Sequence, residues 1–287
     1  VRTYLDCYPC FLRQALTASR LTGADADAQQ EVVRSTLALL AELPAGAEPP
    51  RIAELVHGHV RAELGDADPY REVREESTRR ALDLYLWLMS LVEAAEDPLE
   101  AALRVAIAGN VMDMGPGDTF PDLREAVLRV MDASFAVDDV AALRAELGRA
   151  PWLLMIGDNA GETVFDRVLV ETLRIPVTYV VKGGPTLNDA TREDARAAGL
   201  EGCARVLDTG VAAPGLSLDR CSAALRRTFY DAPLVLAKGQ ANYESLSDAG
   251  ERVFCVLQVK CGVIATDVGA PVGSLVVRRG VPALTPA

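Results

Sequence analysis

The chain has 287 residues, 50% of them hydrophobic and 24% charged, which is the composition of a globular protein and excludes wholesale disorder. Its 29 basic residues against 41 acidic ones leave a net charge of −12, so it lacks the electrostatic footprint of a general nucleic-acid binder. The most apolar early stretch, 84–92, is far shorter than the roughly 20 residues a membrane span needs. No secretory leader is read before the first helix-like segment, and six cysteines in so long and apolar a chain do not read as a disulfide framework. The expectation is a soluble protein of a reducing compartment, the cytoplasm.

In chain order, residues 1–148 read as an all-helical N-terminal domain. Helices are expected over 26–40, over 71–95 behind Asp68-Pro69, and from Asp97-Pro98 to Gly109. Loops are expected at 44–50 and at Gly115-Pro116-Gly117-Asp118, with a short helix over 121–131. The segment 84–92 is apolar nearly all round, which predicts a central core helix; a homodimer face is the other reading. From residue 149 to 287 the grammar changes. Short apolar or β-branched runs at 152–156, 176–181, 204–207, 234–237, 253–257 and 275–277 read as strands. Helical patterns at 162–173, 190–198, 217–228 and 240–249 lie between them. That alternation predicts a doubly wound, mostly parallel α/β sheet, whose ligands sit beyond the carboxyl ends of the strands.

The residues after the strands carry the chemistry. Gly157-Asp158-Asn159-Ala160-Gly161-Glu162 puts two carboxylates, an amide and two glycines on one strand-to-helix turn. Its plain alternative is an Asx turn with an acidic first helical turn. Asn188-Asp189 follows the next strand and also reads as a helix cap. Lys182, Lys238 and Lys260 all end or nearly end predicted strands, where an ammonium group can meet an oxyanion. Asp and Asn oxygens suit a hard divalent cation, and a cation beside a lysine suits phosphate-ester chemistry.

Taken in order, these residues resemble the domain-of-unknown-function 89 family of metal-dependent damage-control phosphatases. The resemblance rests on Gly157–Glu162 with Phe165-Asp166, Asn188-Asp189 with Asp194, and Lys238-Gly239 with Asn242-Tyr243-Glu244. It is extended by Cys7 and Cys10 (the subgroup with an N-terminal CxxC), Asp68-Pro69-Tyr70, Gly109-Asn110 followed by Asp113, and Lys260-Cys261. It implies a metal (Mn²⁺, Mg²⁺, Co²⁺ or Ni²⁺) on Asp158, Asn159 and Asp189, with Asp158, Lys238 and Glu162 catalytic. It also implies substrate contact by Asn110, Asn242 and Lys238. The substrate would be a small phosphorylated metabolite, a sugar phosphate or a damaged relative of one. The chain departs from familiar members at Arg71, Arg74 and Glu75. Either an activated water or Asp158 itself is the nucleophile.

Two other readings remain open at this stage. One is a carboxyl or small-molecule methyltransferase, which would not need Asp189 and Lys238 together with a metal. The other is a non-catalytic metal- or metabolite-binding protein. Cys7 and Cys10 read as reduced helix-start cysteines, as a redox dithiol, or as half of a metal site with His57 and His59.

Overall fold

A computed structural model describes residues 2–43, 46–112 and 122–281. Asp113, Pro44 and the expected break at 115–118 lie outside the described residues.

Three N-terminal helices form a small cluster. They are α1 (Cys7–Leu21), α2 (Ala26–Ala41) and α3 (Pro49–Leu64). The helices close on Phe11, Ala15, Val32, Leu40, Ile52, Val56 and Val60. Asp25 caps α2 by accepting from the Ala28 amide at 2.9 Å. The loop expected through residue 50 ends earlier, because Pro49 and Pro50 occupy the first helical positions of α3, where a missing N–H is no loss.

Next come α4 (Arg71–Glu93) and α5 (Pro98–Ala108), a 3₁₀ turn (Gly109–Met112), α6 (Leu123–Asp132), β1 (Phe135–Asp138) and α7 (Val140–Leu147). β1 was not expected. Four residues with only alternate burial carry too weak a pattern to stand out among helices. The central helix is also not the expected one. α4 buries a stripe of Ala81, Leu84, Leu88 and Val92, while Leu86 is 80% exposed. α5 instead is buried at all but one position from Ala101 to Ala108.

The remainder alternates strand and helix: β2 (Leu153–Ile156), α8 (Glu162–Thr172), β3 (Val177–Val181), α9 (Arg192–Ala197) and β4 (Arg205–Asp208), then α10 (Ala223–Asp231), β5 (Val235–Lys238), α11 (Gln240–Leu246), β6 (Val253–Gln258), α12 (Gly262–Val268) and β7 (Leu275–Arg279). α10 begins six residues later than expected because Ser222 is its cap, accepting from the Leu225 amide at 3.2 Å. The seven strands run β1-β7-β6-β5-β2-β3-β4. Every pair is parallel except β6 with β7. Alternate residues of β2 serve opposite faces: Leu153 and Met155 join α4, α5 and α8, whereas Leu154 and Ile156 join α10, α11 and α12. From β2 the chain winds outward through β3 and β4, then returns to β5 on the other side. The order reverses at β2, and the crevice this opens is where such sheets take ligands.

Candidate active site

A cavity of about 500 Å³ lies at that crevice. Asp158 and Asn159 after β2 and Asn188 and Asp189 after β3 line it, with Gln240 and Glu244 of α11 and Lys260 and Cys261 after β6. The opposite wall belongs to the N-terminal helices, through Cys7, Cys10, Arg13 and Gln14 of α1 and Pro49 and Ala53 of α3.

Backbone bonds zip the two acidic loops together. The Ala160 amide donates to Asn188 O at 2.9 Å and the Ala190 amide to Asp158 O at 2.8 Å. Asn159 and Asp189 thereby form an isolated antiparallel bridge. Gly239 then decides where the Asp158 carboxylate can lie. A Cβ on Gly239 would fall 1.8 Å from Asp158 Oδ2, and its φ of +81° is one that side-chain-bearing residues rarely adopt.

Glu162, fully buried in the first turn of α8, holds the Asn159 amide from behind the cavity wall. Asn159 Nδ2 donates to Glu162 Oε1 at 3.0 Å and Asn110 Nδ2 donates to the same oxygen at 2.7 Å. An ionised carboxylate only accepts, so the Asn159 nitrogen faces Glu162 and its Oδ1 is left for the cavity. Gly109 permits the Asn110 contact, since a Cβ there would press on Phe165 at 3.1 Å.

Lys238 was expected to touch phosphate. It does not line the cavity and is 1% exposed. Its ammonium donates to Asp166 Oδ1 at 2.7 Å, Glu162 Oε2 at 3.2 Å and Ala106 O at 2.9 Å. Burial alone would lower its pKa, but Asp166 and Glu162 outweigh that and hold it raised. Asp166 takes a further bond from the Tyr179 hydroxyl at 2.7 Å. Asn242 also stands behind the cavity wall, its Nδ2 donating to Gly157 O at 3.0 Å and Lys238 O at 2.6 Å, which ties the ends of β2 and β5 together. Lys182 lies 3.5 Å from Asp189 Oδ2 and donates to Gly215 O at 2.9 Å.

The buried centre thus holds four carboxylates, Asp158, Glu162, Asp166 and Asp189, against two ammonium groups, Lys182 and Lys238. Lys238 is ion-paired with Glu162 and Asp166, and Lys182 lies beside Asp189. The Asp158, Asn159 and Asp189 oxygens on the cavity are a hard donor set of the kind a divalent cation takes. The residues therefore fit such a cation.

Other motif residues are structural. Arg74, buried, donates from its two Nη atoms to Asp68 at 2.6 and 2.8 Å and from Nε to Asp194 Oδ2 at 3.2 Å. Asp194 also accepts from the Thr191 amide at 2.8 Å, closing the capping box of α9. α4 thereby grips the connection that carries Asp189. His57 bonds Gln14 and His59 bonds Ser35, and neither lines the cavity with the cysteines. Sequence reasoning missed Arg13 and undervalued Lys260, the two basic side chains that line it among the described residues. Arg13 leaves no signal short of knowing that α1 faces the sheet. Asp166 was legible in part: Glu162 and Asp166 sit one turn apart on a buried helix face, a spacing that demands a shared partner.

Fold and centre define an open α/β protein with an acidic site at the switch point of its sheet. The chain belongs to the damage-control phosphatase ARMT1-like domain family, whose model matches residues 3–276. It is 32% identical over 288 residues to a damage-control phosphatase of Pyrococcus horikoshii, covering 97% of this chain and 98% of that protein. A damage-control phosphatase of Archaeoglobus fulgidus is 31% identical over 95% of this chain and 97% of its own length. The crystal structure of a domain-of-unknown-function 89 family protein from Pyrococcus horikoshii superposes with a TM-score of 0.88 at 31% identity, over 98% of this chain and 99% of that one.

Proposed function

We propose that the protein is a metal-dependent phosphomonoesterase acting on small phosphorylated metabolites, sugar phosphates and damaged relatives among them. The observation that carries this reading is the convergence of Asp158, Asn159 and Asp189 on one cavity at the carboxyl ends of the strands, with Asn159 and Asp189 bridged to each other. The names of the relatives support it. Asp158, Asn159 and Asp189 would hold the cation, which supplies Lewis acidity at the phosphoryl oxygens. Arg13 and Lys260, on the cavity wall, are the cations that receive the phosphate. Lys238, Glu162, Asn110 and Asn242 are positioning residues: they hold Asn159 and the ends of β2 and β5 in register.

Turnover of a panel of phosphomonoesters with Mn²⁺, Mg²⁺, Co²⁺ or Ni²⁺, against chelator, tests this. Asp158→Ala and Asp189→Ala are expected to lose both metal binding and turnover while their circular dichroism stays native. Full activity in either variant overturns the assignment.

A further inference from the structure

The six cysteines divide into two sets. Cys203, Cys221 and Cys255 lie away from the cavity, and burial pushes the Cys255 thiol up to about 12, which makes it inert. Cys7, Cys10 and Cys261 all line the cavity that holds Asp158, Asn159 and Asp189. Cys7 and Cys10 fall in the first turn and a half of α1, and Cys10 is exposed. Residues three apart on a helix have Cα atoms about 5 Å apart, from a rise of about 1.5 Å per residue and a radius of about 2.3 Å. That separation lies inside the range a disulfide spans, roughly 4.4–6.8 Å. Arg13 follows Cys10 by the same three residues, so it shares that face of α1. Cys261 caps α12 on the facing loop and accepts a weak bond from Gln240 Nε2 at 3.5 Å.

We propose that Cys7 and Cys10 are a redox-active dithiol built into the wall of the catalytic cavity. Exchange with a small-molecule disulfide converts them to an intramolecular disulfide, and that form turns substrate over more slowly. The effect on turnover rests on the phosphatase reading above. In the first step the thiolate of one cysteine attacks the reagent's S–S bond, forms a mixed disulfide and releases one reagent thiolate. The other cysteine then attacks the mixed disulfide, closes the Cys7–Cys10 bond and releases the second reagent thiolate. Two protein thiols are oxidised, one reagent disulfide is reduced to two thiols, and the two protons pass to those products. While the mixed disulfide stands, its adduct occupies the cavity of about 500 Å³. Once closed, the bond restrains the first turn of α1 and so the placement of Arg13, one turn on, toward the phosphate. Burial first, and Glu244 among the neighbouring groups, raise both thiols, so exchange is slow at neutral pH and faster in mild alkali.

The test uses the full chain. Wild type, Cys7→Ser/Cys10→Ser and Cys261→Ser are incubated with glutathione disulfide, then alkylated and mapped by mass. Hydrolysis of 4-nitrophenyl phosphate with Mn²⁺ is measured in parallel. Oxidised wild type is expected to show Cys7 and Cys10 bridged and unalkylated, with turnover at least threefold lower and restored by a phosphine reductant. The double variant turns over at the same rate with and without the oxidant, and Cys261→Ser responds to it as wild type. The proposal is overturned if both thiols stay alkylatable, if the bridge joins a different pair, or if the bridged protein turns over at the reduced rate. An oxidant-sensitive double variant overturns it too. If the reduced protein hydrolyses no phosphomonoester with any metal, the phosphatase reading fails and the effect on turnover falls with it, while the thiol count still decides whether the dithiol exists.

Discussion

Replacing Lys238 with methionine keeps most of the aliphatic stem and removes the ammonium that joins Asp166, Glu162 and the Ala106 carbonyl. All three polar partners are buried with it, so two carboxylates lose their counter-charge without gaining water. Removing one partner of a buried ion pair costs about 3–5 kcal/mol. At roughly 2–4 °C per kcal/mol for a chain of this size class, Tm should fall by about 6–20 °C. The deficit should narrow as pH is lowered from 8 to 5, because a stranded carboxylate is relieved by taking a proton. Glu162 also loses the group that anchors it, and with it the hold on Asn159, so Mn²⁺ affinity should weaken by about 10–100-fold, the usual effect of losing a residue behind a ligand. Thermal unfolding by circular dichroism and Mn²⁺ titration calorimetry measure the two effects. A variant with unchanged Tm and unchanged metal affinity, but a raised KM, would refute the positioning role and return Lys238 to direct phosphate contact.

Gly239→Ala should displace Asp158, because the new Cβ would lie 1.8 Å from its Oδ2; metal titration should show a weakening on the order of 100-fold, as for an angstrom-scale misplacement of a working group. Metal binding should itself stabilise the fold. Mn²⁺ at 100 times its Kd contributes about 2.7 kcal/mol, hence a Tm rise of about 5–11 °C, and chelator or Asp189→Asn should abolish it. His57 is buried against Gln14, and burial first, with Arg61 second, lowers its pKa to about 3. A histidine lowered in the fold contributes stability that is full above its unfolded pKa and is lost as pH falls toward the folded value. Wild type should therefore lose roughly 3 kcal/mol more than His57→Gln between pH 7 and pH 4.5, read as the difference in slope of urea unfolding free energy against pH. Equal slopes would show that His57 does not titrate between the two states.

The elements with strong local patterns were legible before folding. Strands β2, β3, β5 and β6 are buried on both faces, so each reads as a largely apolar run ended by a glycine, a lysine or a glutamine. Asp158, Asn159 and Asp189 were singled out because parallel sheets place ligands after their strands, and these residues follow β2 and β3 and line one cavity. β1 was not legible, because its four residues gain their meaning only from pairing with β7, about 140 residues later in the chain. The exposed side of α4 was misread for a related reason: a run of apolar residues does not say which of them another element will cover.

By itself, then, the sequence determined the alternation of strands and helices and the acidic, oxygen-rich turns at their ends. Those follow from residue type and local spacing. Only the tertiary structure decided which cations face the cavity. Lys238 and Lys260 end neighbouring regions of the same sheet, yet Lys238 turns inward to Glu162 and Asp166 while Lys260 lines the cavity with Arg13. Which way a strand-end side chain points depends on what the opposite face of the sheet packs against it. Here that is α5 and α8, and neither is near Lys238 in sequence. The same holds for Cys7, Cys10 and Cys261, which share one cavity only because the N-terminal helices fold over the carboxyl ends of the strands.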